Sequence, residues 1–421
     1  MSASIAWAAD EAPLGEAGGV FPISDFGARP GGVYSCTEAI AAAVSAASRA
    51  GGGRVLVPDG LWLTGPVRLE SGVELHLSDG ALLSFSPNPE DYLPPVRTSY
   101  SGIECYNYSP LLYACGATNV SLTGGGTISP RMDVWRTWFN RETPGMVAAT
   151  GMLYRWGESD YPVEKRVLTD IPGARFRPCC IEFENCRRVR LEGFRVRGSP
   201  LWTVHLRLCE DVVASGLDIV ALGNNNDGID VDASRRVLIE KCTFEQGDDA
   251  IVVKSGRDRD GRRVGVPAED IEVRDCTVRR GNVLVGIGSE VSGGVRNVFV
   301  HDCRATGPVD DLVLVKTSDR KGAFIENVAV SNVTAVAAGT VVAVQTDVNY
   351  QWGAYAPGET VLTRISGLRV FDVFCGIADE VYRLNGDARL PVRDVELRNV
   401  RAGVVRVREG VAVNVEGFSR K

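Results

Sequence analysis

Between Asn224 and Gly256 the chain reads NNNDGIDVDASRRVLIEKCTFEQGDDAIVVKSG. Two phrases within it, DGIDVD from Asp227 and DAIVVK from Asp249, overlay so that Ile229 falls on Ile251, Val231 on Val253 and Asp227 on Asp249. Between them lies VLIEKC from Val237, with the period-two alternation of a strand. The same phrase recurs as VRLEGF (Val189), VVASGL (Val212), IEVRDC (Ile271), VFVHDC (Val298), VAVSNV (Val328), LRVFDV (Leu368) and VELRNV (Val395). Successive starts, including Val237, are 23, 25, 34, 27, 30, 40 and 27 residues apart, and VSLTGG at Val120 and VELHLS at Val73 extend the series toward the N-terminus. Each phrase is rich in Val and Ile and flanked by Gly, Asn or Asp, which reads as short strands between turns. Such rungs without helical patterns between them specify a parallel β-solenoid. A propeller blade needs about 40–45 residues and hairpin turns, and a doubly wound sheet needs intervening helices. The expected fold is all-β, a parallel β-helix.

TEAIAAAVSAASRAGGG, from Thr37, reads as a helix with Thr37 as N-cap and a glycine stop. It lies where a solenoid needs a cap over its open apolar end. The expected organisation is one β-helix domain over residues 1–421, with a cap region at 1–60. Between residues 98 and 176 the repeat is interrupted by a segment carrying Tyr106, Tyr108, Trp135, Trp138, Tyr154 and Trp156. These rings either pack long loops onto the scaffold or line the wall of a sugar-binding cleft.

The 421 residues are 44% hydrophobic and 24% charged, as in a globular protein, and the net charge of −7 argues against a nucleic-acid partner. No apolar run reaches membrane-spanning length, so no membrane partner is expected. Eleven cysteines is an odd count with no framework spacing beyond the neighbours Cys179 and Cys180. Most sit inside apolar runs, which points to buried free thiols. The histidines His76, His205 and His301 lack ligand-like spacing, so zinc is not expected and no cofactor is called for. MSASIAWAADEAP has neither a basic n-region nor a full apolar h-region, which favours a cytoplasmic location. Its AWA reads equally as the end of a trimmed signal, which leaves a periplasmic or secreted location open.

If the rungs stack about 4.8 Å apart, Asp227 and Asp249 emerge together at strand starts, with Asp248 one residue earlier. Three carboxylates in one patch cannot all ionise cheaply, and a like-charged neighbour raises at least one pKa. A protonated carboxyl beside ionised ones is the combination for general acid/base hydrolysis of a glycosidic bond. Asp and Gly are also ordinary turn residues, so spacing alone leaves a structural reading open. DDLVLVKTS, from Asp310, has the same grammar as DDAIVVKSG but no third aspartate on a neighbouring rung, so Asp310 and Asp311 read as structural.

At these residues the chain resembles the polygalacturonase family of pectin-degrading glycoside hydrolases, family 28. The family's Asn-Thr-Asp resembles Asn225-Asn226-Asp227, and its Gly/Gln-Asp-Asp resembles Gly247-Asp248-Asp249. ISDFGARPGG, AGGGRVLVPDGLWLTGPVRL, YNYSPLLYACGATNVSLTGGGTI, SPLWTVHL, KSGRDRDGRRVG and IGSEVSGGVRNV are similar to bacterial members, so the resemblance runs from Phe21 to Glu326. It implies a right-handed parallel β-helix that hydrolyses galacturonide links in pectic poly- or oligosaccharides with inversion. It further implies that Asp248 is the general acid and that Asp227 and Asp249 hold and deprotonate the attacking water. Inversion needs acid and base about 6.5–9.5 Å apart to admit that water.

Two departures stand out. Where the family carries the histidine of Gly-His-Gly, this chain has Asn282 or Val283, depending on alignment. Its Arg-x-Lys appears as Leu314-Val315-Lys316, which keeps the lysine and loses the bidentate fork. Lys254, Arg257, Lys316 and Arg320 still make a basic patch for an acidic sugar, with Asn225 and Asn282 as further substrate contacts. The lost arginine keeps rhamnogalacturonan or another uronide open as substrate. Two other functions compete: a β-helix polysaccharide lyase, which needs a strong base and usually calcium, and a non-catalytic carbohydrate-binding β-helix.

Overall fold

The computed structural model describes residues 18–348 and 358–421; the N-terminal residues 1–17, on which the reading of localisation rests, lie outside them. The chain winds as a right-handed parallel β-helix with three faces. On the first face the expected phrases stack start over start: Val120 on Val189, then Val212, Val237, Ile271, Val298, Val328, Leu368 and Val395. Glu74 pairs with Ser121, which brings the Val73 phrase into the same register.

The corners explain why this sequence coils. The residue before each phrase start has left-handed backbone: Asn119, Arg188, Asp211, Arg236, Asp270, Asn297, Asn327, Gly367 and Asp394. Four residues after each start the backbone is left-handed again, at Gly124, Gly193, Gly216, Lys241, Asp275, Asp302, Asn332, Asp372 and Asn399. Gly, Asn and Asp occupy most of these places because they bear that conformation at least cost. Their side chains also bond between rungs, as in Asn297 Nδ2 to Asp270 Oδ1 at 2.8 Å and Asn327 Nδ2 to Asn297 Oδ1 at 2.7 Å. Inward residues such as Val189, Leu191, Val212 and Val237 are buried in one continuous core. All eleven cysteines are free, and all but Cys115 are buried, as the apolar setting implied.

Helix α1 (Thr37–Arg49) caps the N-terminal end with Ile40, Ala43, Val44 and Ala47 buried. Thr37 is its first helical residue rather than its N-cap; its hydroxyl instead accepts the Gly65 N–H at 2.6 Å. The segment expected to interrupt the repeat is not one insertion. A full rung, Leu112–Cys115, Thr118–Thr123 and Thr127–Pro130, passes through it. That leaves two excursions: an antiparallel hairpin, Val96–Tyr100 with Ile103–Asn107, and a segment of about 50 residues after Pro130. The second carries the short helix α2 (Met132–Trp135) and α3 (Pro144–Gly157), with Thr143 at the N-cap and Pro144 at the first turn. A further helix, α4 (Asp258–Val264), follows a third-face strand. No described helix is long and apolar enough to cross a membrane.

Most of the aromatic rings turn out to pack rather than line a wall. Trp135 is buried against Tyr92 and Trp138, and Trp156 stacks on Tyr161. Tyr154 faces the cleft described next, behind a satellite core that joins α3 to Leu201 and Trp202.

Candidate active site

The third face carries the site on its outer surface. Ile229 pairs with Ile251 and Val231 with Val253, in the register read from the sequence. One outward column runs Glu182, His205, Asp230, Val252, Gly286, Leu314, Ala343 and Arg383. A second runs Glu184, Arg207, Asp232 and Lys254. Inward neighbours are apolar, so period two alone divides each strand into core and chemistry.

Asp227, Asp248 and Asp249 converge on one cleft of about 160 Å³, whose lining also includes Asn225, Lys254, Arg257 and Lys316. Asp227 and Asp249 are only 3% and 2% exposed. The turn bearing Asp227 is pinned by Asn226, whose amide donates to Ser199 O at 2.9 Å and Leu201 O at 2.8 Å. Asp249 is ion-paired with Lys316 at 2.8 Å. Asp248 Oδ1 accepts from Asn282 Nδ2 at 3.0 Å and from the Asp249 N–H at 3.1 Å. Asn282 thus stands beside Asp248 with a neutral donor, and it lines a neighbouring groove rather than the cleft itself.

Lys254 is the cation at the centre. Its ammonium lies 3.4 Å from Asp227, 3.3 Å from Asp230 and 3.5 Å from Glu290, and 4.2 Å above the Trp202 ring. Burial alone would discharge it, but Glu290, Asp227 and Asp230 together hold its pKa above the usual lysine value. Burial followed by the charge of Asp230 pushes Asp227 up, with Lys254 opposing. Burial also lifts Asp230, to about 7, against the pull of Lys254 and His205. Asp248 is raised by burial and by Asp249. The cluster therefore retains a proton well above the range of ordinary carboxylic acids.

Arg257 is tied to Glu290, donates to Ser101 O at 2.7 Å and lies over Tyr154. Asn225, in left-handed backbone, accepts from both Arg141 and Arg177. The structure does not bring Arg320 into the cleft: its guanidinium turns to Glu158 at 3.3 Å and Asp258 at 3.9 Å, bridging α3 and α4. Sequence reading missed Asp230, Glu290, Trp202 and Arg141, whereas Tyr154 was among the rings offered as a cleft wall. Asp230 alone had a local signal, since period two places it on the same face as Lys254 and Asp232.

Asp310 and Asp311 stand apart from the three aspartates. Asp311 pairs with Arg383 at 3.3 Å, and both backbone N–H groups donate to Asn282 O. Asp310→Asn together with Asp311→Asn is expected to change turnover by less than about tenfold, short of the 10²–10⁴-fold that loss of a general acid costs. Steady-state kinetics of the double variant checks this, and a dead enzyme would mean that the wrong acidic pair had been chosen.

The model of the family described as glycosyl hydrolases family 28 matches residues 166–409. A probable polygalacturonase of Vitis vinifera is 27% identical over 321 residues, which is 74% of this chain and 59% of that protein. The exo-poly-alpha-D-galacturonosidase of Dickeya chrysanthemi is 23% identical over 303 residues, 67% of this chain and 50% of that protein. The chain thus matches only about half to three-fifths of the length of these relatives. Among solved structures, a hyperthermoactive exopolygalacturonase from Thermotoga maritima superposes with a TM-score of 0.87 at 34% identity, covering 95% of this chain and 90% of that one.

Proposed function

The chain belongs to glycosyl hydrolases family 28, and on that premise we propose that it is an inverting hydrolase that releases galacturonate-type units from the ends of pectic chains. The convergence of Asp227, Asp248 and Asp249 from adjacent rungs onto one cleft carries this reading. Two of the three face ammonium groups, Asp227 toward Lys254 and Asp249 toward Lys316. Asp248 has the neutral amide of Asn282 instead. With an amide rather than an ammonium as its side-chain partner, Asp248 is the carboxyl assigned to deliver a proton to the leaving oxygen, as the family resemblance implies. Asp227, itself raised by burial and Asp230, relies on Lys254 to ionise. Asp227 and Asp249, balanced by their lysines, orient water and take its proton as the bond to the anomeric carbon forms.

Removal of end units is supported by the size and walls of the cleft. The part enclosed at the three aspartates, about 160 Å³, suits one sugar ring, below the ~300–1,000 Å³ of drug-sized ligand pockets. The neighbouring groove past Asn282 leaves room for the rest of the chain. Ser101, Arg141 and Tyr154, from the two excursions, close its side. The Thermotoga maritima relative is itself an exopolygalacturonase. The test is a product profile on defined oligogalacturonides: the reading expects the smallest product from the first time point. A ladder of intermediate lengths overturns end-wise action, and an unsaturated, ultraviolet-absorbing product overturns hydrolysis.

Lys316 serves the substrate's carboxylate as well as Asp249. A hydrogen bond to a charged group is worth about 1.5–3 kcal/mol, so Lys316→Ala should slow uronide cleavage roughly 10- to 150-fold. The loss should be smaller on methyl-esterified substrate, and salt should narrow the difference. Equal losses on charged and esterified oligosaccharides would confine Lys316 to its partnership with Asp249.

A further inference from the structure

Where the second excursion rejoins the solenoid, three groups meet in a fully buried site beneath the cleft floor. Cys179 Sγ lies 3.9 Å from His205 Nδ1, and Glu182 Oε2 lies 3.3 Å from the same nitrogen. The three ligand atoms fall within 4.8 Å of one another. On the other edge of the ring, His205 Nε2 faces Asp232 Oδ2 at 3.4 Å, and Asp232 Oδ1 accepts the Gly256 N–H at 2.9 Å. Thr98 donates to Glu182 Oε2 at 2.9 Å, while Glu182 Oε1 is buried without a hydrogen-bond partner.

We propose that Cys179, Glu182 and His205 form a structural zinc site that clamps the excursions to the catalytic face. Thiolate, imidazole and carboxylate are all zinc ligands, and with three of them the fourth tetrahedral position falls to a water. At metal–ligand distances of about 2.0–2.3 Å, tetrahedral ligands stand roughly 3.3–3.7 Å apart, close to the 3.3 and 3.9 Å found around Nδ1. Asp232 behind Nε2 is the outer partner that orients a metal-binding histidine and leaves its other nitrogen free to ligate. Neither imidazole–carboxylate contact, at 3.3 and 3.4 Å, reaches ordinary N–H···O length. The unpartnered Glu182 Oε1 shows that this buried carboxylate is incompletely satisfied by protein donors. A dication balances the thiolate and the Glu182 carboxylate, and the Asp232 carboxylate is met by the His205 Nε2–H and the Gly256 N–H. The competing arrangement, a doubly protonated His205 between Glu182 and Asp232, leaves the Cys179 thiol without a strong partner.

The position gives the clamp a purpose. Thr98 lies in the hairpin of the first excursion and Cys179 at the end of the second, and Glu182 lies within reach of both. Trp202 packs edge-on to the His205 ring at 5.0 Å and underlies the Lys254 ammonium, so order at the clamp reaches the cleft floor. Linear spacing hides the site because His205 arrives one rung after Glu182.

The test uses the full chain, stripped of metal and reloaded with zinc or cobalt(II). Expected are stoichiometric zinc retained after desalting, a higher Tm than the stripped protein, and a cobalt form with a near-ultraviolet thiolate-to-metal band. Cys179→Ser should remove that band, and Glu182→Gln, a milder change, should weaken zinc retention while the far-ultraviolet circular dichroism stays native. Failure to retain zinc, with an unchanged Tm and no thiolate band, overturns the proposal in favour of the protonated histidine. So does a thiolate band that survives in Cys179→Ser, because another cysteine would then be the ligand.

Discussion

Asp248→Asn is expected to lower turnover by about 10²–10⁴-fold, the usual cost of a lost general acid, with the fold and substrate binding retained. The amide is isosteric and stays neutral beside Asp249 at every pH, so thermal stability should hold, and rise at pH values where Asp248 would ionise. Burial and Asp249 hold the Asp248 pKa above the usual aspartate value, so the acid keeps its proton into a less acidic range. Wild-type activity should accordingly fall as pH rises through that value, and the residual activity of the variant should lack this limb. The measurement is kcat against pH on one defined oligogalacturonide, beside a thermal melt. A folded variant keeping more than about a tenth of wild-type turnover would remove Asp248 from the acid's role.

Lys254→Met is expected to be the most destabilising single change in the site, by about 3–5 kcal/mol, because it strips the cation from buried carboxylates. Asp227, Asp230 and Glu290 all lie within 3.5 Å of that ammonium. Methionine fills similar volume over Trp202, so the loss is electrostatic rather than a cavity. The pH dependence follows from the direction of the shifts. Asp230 is raised from the ordinary aspartate range to about 7 even with the lysine present. A carboxyl raised on folding favours the folded state at acidic pH, and this advantage fades as pH climbs through the folded value. The cost of Lys254→Met should therefore be greater at pH 8 than at pH 5, as read by urea unfolding at each. Adding Asp230→Asn should recover part of it at pH 8. A Lys254→Met protein within about 1 kcal/mol of wild type at pH 8 would mean that the network is hydrated rather than buried.

How much of this was legible in the chain follows from which signals are periodic. The first-face register could be read to the residue because both corners of every rung favour Gly, Asn or Asp, as at Asn297 and Asp302, and apolar residues alternate between them. The same register placed Asp227 over Asp249. The rung at 112–130 was nearly hidden because its corners open into long excursions, and α3 because a helix in an excursion breaks the period that was being followed. Asn225 and Lys316 were found through the family motifs they resemble, and Lys254 through its place in the phrase that follows Asp249. Arg320 looked equivalent by charge, yet its partners Glu158 and Asp258 come from elements without a fixed offset from it. Glu290 and Arg141 reach the cleft only through tertiary packing.

The stereochemistry of the first product tests the central claim most directly. Proton NMR during hydrolysis of an α-linked oligogalacturonide should show the β-anomer of the released unit first, with the α-anomer growing only by mutarotation. Initial release of the α-anomer would mean retention, and with it a carboxylate acting as nucleophile rather than activating water on the opposite face. That result would contradict the assignment of Asp227, Asp248 and Asp249 given above.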